Sequence, residues 1–230
     1  MLRAYKYRIY PTDEQKVLFA KTFGCCRFVY NWALNLKIEA YRQEKRSVAY
    51  KEVQDRLVNE LKKENQWLAE VNSQALLNSI RNLDIAYKNF FRDTHAVGFP
   101  RFKSRKNRQS FQCPQHCSVD FAEGTITIPK AKDIPAVLHR GFKGTVKTVT
   151  VSMTPSGRYF ASVLVDTAIQ EQKTSEPVHD TAIGIDLGIK SLAVCSDGRT
   201  FGNPKNLPGS LDRLKVLQKR LSRKRKGSSN

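Results

Sequence analysis

The first ten residues alternate. Tyr5, Tyr7 and Ile9 fall on one face and Lys6, Arg8 and Tyr10 on the other, the period of two expected of a half-buried strand with a basic outer face. Pro11 ends the alternation, and Thr12 followed three residues later by Gln15 is a capping-box signature that starts a helix. From there to about residue 95 the apolar positions repeat with helical spacing. Cys25, Val29, Trp32 and Leu36 form one stripe and Val53, Leu57 and Leu61 a second. Leu76, Ile80, Leu83, Tyr87 and Phe90 form the longest, with Ser73 as its N-cap. Such stripes are core contacts, and Cys25 and Cys26 read as small core residues among them.

From Ser118 onward the pattern turns to β. Val119 and Phe121 lead into a Glu123-Gly124 turn, and Ile126 and Ile128 lead out of it. Val149 and Val151 precede the turn at Thr154-Pro155-Ser156-Gly157, and Tyr159, Ala161, Val163 and Val165 return. Two hairpins and the N-terminal strand predict a small sheet or barrel. Residues 168–180 are polar, lack aromatics and read as a linker. A fresh hairpin follows, from Ile183 through the Asp197-Gly198 turn to Phe201, so a second domain is expected from about residue 181. Leu211, Leu214, Leu217 and Leu221 then share one helical face among basic residues.

Charge sharpens this outline. Over 230 residues, 40 Lys and Arg against 21 Asp and Glu give a net charge of +19. A hydrophobic fraction of 40% excludes a disordered basic tail, so the charge sits on a folded protein and points to a polyanionic partner. No apolar run approaches the roughly 20 residues of a membrane-spanning helix. Five cysteines, odd in number and irregularly spaced, argue against a disulfide framework and for a reduced cytosol.

The basic residues cluster. Arg101, Lys103, Arg105, Lys106 and Arg108 fall within eight positions that hold no acid, and Phe99, Phe102 and Phe111 are interleaved with them. Cations beside aromatics offer both phosphate neutralisation and base stacking, which makes this run, Phe102 included, a candidate nucleic-acid contact. Lys219, Arg220, Arg223, Lys224, Arg225 and Lys226 form a second basic run, and Lys190 lies in the hairpin before it. Arg27, Tyr30 and Asn31 lie together near the start of the first helix and are a third candidate group. Cys113, His116 and Cys117 supply three soft ligands, but a structural zinc site wants four. His95, His139 and Cys195 could donate in principle, but nothing in the sequence brings them there. Zinc is not expected.

Asp186 raises a different question. It sits in the apolar strand Ile183-Gly-Ile-Asp-Leu-Gly188, where a carboxylate needs a cation, hydrogen-bond donors or water. RNase H-like nucleases place their first metal-binding Asp mid-strand before a hairpin, and sugar-kinase, actin and Hsp70-type ATPases open with a similar Asp-Leu-Gly strand. A strand-end Asp satisfied by backbone amides is the structural alternative. The 44 residues after Asp186 are too few for the ATPase motifs, and residues 181–230 carry 11 basic and 3 acidic residues, which suits a phosphodiester backbone. The nuclease class is favoured.

Five blocks in order resemble the N-terminal part of the TnpB/OrfB family, insertion-sequence proteins described as transposases and related to type V CRISPR effectors. They are Lys6–Gln15, Cys26–Leu34, Asn82–Phe91 with Gly98–Lys103, Gly184–Ala193 and Leu221–Ser229. The resemblance implies an α+β fold. In it a helical lobe (11–117) is inserted in a small β-barrel-like wedge module (1–10 and 118–167). A linker (168–180) leads to the start of an RNase H-like, RuvC-like domain (181–230). It implies an RNA-guided, magnesium-dependent DNA endonuclease, with guide RNA and target DNA as partners, in the cytoplasm of a bacterium or archaeon and associated with the nucleoid. Asp186 would be the first catalytic and metal-binding carboxylate. The family's further Glu, second Asp and four-cysteine zinc ribbon have no counterpart here, since only Asp197 and Asp212 follow as acids. The chain is therefore expected to bind but not to cut alone. The other reading is a non-cleaving guide-RNA and DNA binder, repressor-like or a genomic remnant.

Overall fold

A computed structural model describes residues 1–92, 96–106, 108–167 and 182–224, in two units divided near residue 171. The expected linker at 168–180, together with His95, Asn107, Arg225 and Lys226, lies outside the described residues.

Strand β1 (Leu2–Ile9) buries Tyr7 and Ile9 and turns Lys6 and Arg8 outward, as its alternation predicts. On the outer side the Lys6 ammonium lies 4.7 Å from the centre of the Phe160 ring, and the Arg8 guanidinium lies between Tyr10 and Phe160. Helix α1 (Asp13–Glu44) starts at Thr12, whose hydroxyl accepts from the Gln15 N–H while the Gln15 side chain accepts from the Thr12 N–H. Both halves of the capping box are present. Helix α2 (Tyr50–Arg56) runs on through a π turn at Leu57–Leu61 to the short α3 (Lys62–Glu64), with Val53, Leu57 and Leu61 buried. After a 3-10 turn (Gln66–Glu70) comes α4 (Ser73–Arg92), whose cap is Asn72 rather than the expected Ser73. The Asn72 carboxamide oxygen accepts from the N–H of Gln74 and Ala75, and Ser73 instead accepts from the Lys62 ammonium.

Six further strands complete the first unit: β2 (Gln109–Cys113), β3 (Ser118–Asp120), β4 (Thr125–Ile128), β5 (Ala131–Val137), β6 (Thr145–Met153) and β7 (Tyr159–Asp166). With β1 they form an antiparallel sheet in the order β2-β6-β7-β1-β5-β4-β3. Both expected hairpins, β3–β4 and β6–β7, are there, and β1 pairs with β7 along its whole length. Two strands depart from the sequence reading. β2 falls inside the span expected to be helical, yet it pairs with β6 from Gln109↔Met153 to Cys113↔Val149. β5 contains Pro135, whose carbonyl accepts from the Tyr10 N–H at 2.8 Å just past the last β1 pair, Ile9↔Ala136, so its missing N–H falls at the very end of that ladder. Gly144, before β6, has φ +137 and passes so close to Asp166 that a Cβ would lie 2.2 Å from its carbonyl oxygen.

Helices and sheet share one core. Phe19 and Phe23 of α1 meet Phe111 of β2 at ring separations of 5.6 and 5.3 Å, and Leu76, Ile80 and Leu83 of α4 are buried in the same cluster. The aromatic contact that fastens α1 to the edge strand β2 thereby fixes where the chain between α4 and β2 must pass.

The second unit is small. Strands β8 (Ile185–Leu187), β9 (Ser191–Cys195) and β10 (Thr200–Gly202) form a meander in the order β10-β9-β8, followed by helix α5 (Asn206–Ser222). The expected hairpin is present, closed at Asp197-Gly198. Asp197 accepts from both the backbone N–H and the guanidinium of Arg199, an ordinary turn role. Among its described residues only Ala193 and Cys195 are buried, and the leucines at 211, 214, 217 and 221 are exposed on α5.

Candidate nucleic-acid interface

The basic loop between α4 and β2 is held by a few specific contacts. Asn31, on α1, accepts from the Lys103 backbone N–H at 2.8 Å and donates through Nδ2 to the Lys103 carbonyl at 2.9 Å. One turn earlier, Arg27 donates to Gln109 Oε1 at 2.8 Å, and Gln109 Nε2 donates to the carbonyls of Arg105 and Ser104. Tyr30, buried between them, offers its ring face to the Lys103 ammonium, 4.0 Å from the ring centre. Although Lys103 as a residue is exposed, its ammonium is partly stripped of water there, and this lowers its pKa.

The two sequence-predicted groups therefore meet, in different roles. Arg27, Tyr30 and Asn31 are engaged with the loop and hold it. Arg101, Arg105, Lys106 and Arg108 are exposed, as is Phe102. The other two phenylalanines of the run do not line that surface. Phe111 is buried in the core and Phe99 packs edge-on against Tyr87 and Phe90.

Sequence reasoning missed the surface beside the loop. A groove of about 260 Å³ runs between α1, α4, the loop and β2, and its walls include Asn78, Asn82, Arg108, Gln112 and Thr150. Asn82 donates to Gln112 at 3.5 Å across it. Side-chain amides and arginine are among the groups that hydrogen-bond base edges. Asn78 and Asn82 are one turn apart on α4, beside the apolar stripe. That spacing was the available signal.

In the second unit, Asp186 sits on β8, an edge strand, opposite Val194 of β9. Its apolar neighbours call for a cation, hydrogen-bond donors or water at the carboxylate. β8 is exposed throughout, which leaves Asp186 open to solvent. Lys190 in the following turn and Lys219, Arg220, Arg223 and Lys224 at the end of α5 are all exposed. No helix among the described residues is long and apolar enough to cross a membrane.

Residues 1–46 match the family model of the OrfB/IS605 helix-turn-helix domain, and residues 162–230 match the IS605 OrfB model described as a probable transposase. A Streptomyces pristinaespiralis protein named "Putative RNA-guided DNA endonuclease" is 38% identical over 99% of this chain and 56% of its own length. The chain belongs to the TnpB/OrfB family. A second such relative, InsQ of Escherichia coli K12, is 35% identical over the whole of this chain and 56% of its own. The chain thus spans about half the length of the curated relatives it matches. A solved Cas12f1–sgRNA–target DNA complex aligns over 96% of this chain and 61% of that one, at 14% identity and a TM-score of 0.39, below the level that establishes a shared fold.

The magnesium expected of the complete family site is tested by the donors present. Two-ion phosphodiester cleavage needs several carboxylates around ions about 3.5–4 Å apart. Among the described residues no three His, Cys, Asp or Glu side chains are placed to hold a metal ion. Asp197 and Asp212 are engaged with Arg199 and Lys215. One exposed carboxylate does not fit such a centre.

Proposed function

We propose that this portion of a TnpB/OrfB protein is the nucleic-acid-holding part of an RNA-guided DNA endonuclease, with guide RNA and target DNA as its partners. The observation that carries the reading is the cationic loop at 101–108, fixed by the Asn31, Arg27 and Tyr30 contacts beside an amide-lined groove. The exposed cations neutralise phosphates and set affinity, while the groove's amides and Arg108 meet base edges. In this reading the sheet with its inserted helices is the wedge-like module. The meander with α5 opens a RuvC-like domain, in which Asp186 would be one of several carboxylates around magnesium, the others not being found among the described residues. The lone, exposed Asp186 favours binding without cutting for the 230-residue chain by itself.

A filter-binding titration tests this. Affinity for duplex DNA and for structured RNA falls by orders of magnitude between about 50 and 200 mM salt if ~6–10 phosphates are met. Replacing Arg101, Lys103, Arg105 and Lys106 together with Ala lowers both the affinity and the salt slope on all sequences alike. A flat salt dependence in the parent overturns the reading. Robust magnesium-dependent cleavage by the 230-residue chain overturns the non-cleaving part.

A further inference from the structure

A second cavity lies on the first unit, apart from the amide-lined groove. It is a cleft of about 760 Å³ between the C-terminal half of α1, the connection at residues 45–49, the end of α4 and Phe99. Its surface is aromatic and open. Tyr41 is 62% exposed, Phe91 71% and Phe99 46%, unusual values for three large rings lining one cavity. The rings are ordered against one another. Phe91 stacks on Tyr87 with centroids 6.2 Å apart and planes 24° apart, and Phe99 stands edge-on to Tyr87 at 5.5 Å. The exposed faces of Phe91 and Phe99 are thus held in place before any partner arrives.

The rim is cationic. Lys37, Arg42, Lys45, Arg46 and Lys88 line the cleft, against Asp84 as the one lining acid among the described residues. Arg42, Arg46 and Lys88 are paired with Glu39, with Glu44 and Glu52, and with Asp84. Lys37 is held by the Val48 carbonyl and the Tyr87 ring. Lys45 makes no ion pair among the described residues, and its ammonium lies 5.4 Å from the Tyr41 ring centre at the mouth of the cleft. Rings with open faces beside a free ammonium suit an unpaired base and its phosphate. Lys37 and Lys45 are in no ion pair among the described residues, and two such ammonium groups at the rim are a poor match to an apolar protein segment. The cleft also adjoins the basic loop, since Phe99 lines the one and Arg101 opens the other.

We infer that the Tyr41–Phe91–Phe99 cleft is a stacking site for unpaired nucleotides of a single strand, with Lys45 meeting the adjoining phosphate. This deepens the proposed function and rests on it. The chemistry used is that of the base face and the phosphate, which RNA and DNA share.

The test titrates the full chain against short single strands of RNA and of DNA carrying 2-aminopurine, and against a duplex of the same sequence. Tyr41→Ala combined with Phe91→Ala removes two exposed rings, so the fold should survive, and a circular-dichroism melt checks this. Single-strand affinity is expected to fall about 10-fold or more, with 2-aminopurine quenching lost, while duplex affinity stays within about two-fold. Tyr41→Phe should bind as the parent does. Equal losses on RNA and DNA are expected, and a loss confined to one identifies the strand that the cleft holds. Parent-like single-strand binding by the double variant overturns the inference, and is what a cleft seating an apolar protein segment would give. Equal loss of single-strand and duplex binding overturns it too, by making the cleft part of a general backbone surface. A basic-loop variant that binds normally, with the cleft variant impaired, would instead refute the proposed function and leave the cleft standing.

Discussion

Asn31 and Lys103, 72 residues apart, are joined as two strands would be: the carboxamide of Asn31 satisfies both the N–H and the carbonyl of Lys103, at 2.8 and 2.9 Å. One side chain on α1 therefore replaces a missing sheet neighbour for the middle of the basic loop. Asn31→Ala removes both bonds and no cation. Stability should fall by about 1 kcal/mol, two partly exposed hydrogen bonds being worth little more. Protease cleavage between residues 101 and 106 should become faster. Affinity for nucleic acid should drop a few-fold with an unchanged salt slope, because the phosphate-facing charges remain. A changed slope would mean that Asn31 itself acts in the phosphate surface.

Thiol labelling reports on the packing around the loop and β2. Cys117 is only partly buried, whereas the other four cysteines are buried. Contact with the Cys113 thiol lowers the Cys117 pKa, aided by a hydrogen bond from the Val149 backbone. Burial has the opposite effect on Cys26, whose thiol is pushed up to about 11. Iodoacetamide near pH 8 should label Cys117 first and Cys26 and Cys113 last, as read by peptide mass mapping. Early labelling of Cys26 would show that α1 and α4 separate readily.

Much of this architecture is written locally. The alternation of Tyr5, Tyr7 and Ile9, the Thr12–Gln15 capping box and the turn residues of both hairpins each act within a few positions, and each is found where its chemistry puts it. β2 was hidden because only Phe111 and Cys113 mark its inner face, directly after a charged run. β5 was hidden because Pro135 reads as a strand breaker, and its harmlessness depends on where β1 stops. The site divides in the same way. Cation density reveals the loop from composition alone. The roles of Asn31 and Tyr30 as its anchors depend on contacts across more than 70 residues that no local pattern encodes. The exposure of Asp186 depends on how few strands the second unit supplies.

Acid should loosen the turn after α1 before it unfolds the sheet. Glu52 accepts from Arg46 at 2.8 and 3.2 Å and from Arg56 at 3.0 Å, and the Arg46 hydrogen bonds foremost hold its pKa below the usual carboxylate value. A carboxylate with a depressed native pKa adds stability above its unfolded pKa, near 4.3. That stability is lost as pH falls through the native value. Glu52→Gln should therefore melt lower than the parent at pH 7, and the gap should close on acidification below about pH 4. A gap that widens in acid would reverse the sign and exclude this pair as the cause.

Asp186 separates holding from cutting. It lies on the exposed edge strand β8 and carries the charge opposite to every group assigned to phosphate contact. Asp186→Ala should therefore leave the melting temperature of the 230-residue chain unchanged, since no buried contact is lost. RNA and DNA affinity should be unchanged or slightly higher, because one repulsive charge is removed near any bound backbone. The same substitution in a full-length relative, at the matching position, should abolish magnesium-dependent cleavage while guide-RNA binding persists. Both readouts belong on one preparation. Lost binding with lost cleavage would make the residue structural. Retained cleavage would remove Asp186 from the active site, and the strand Ile185–Leu187 would then be nothing more than the edge of a small sheet.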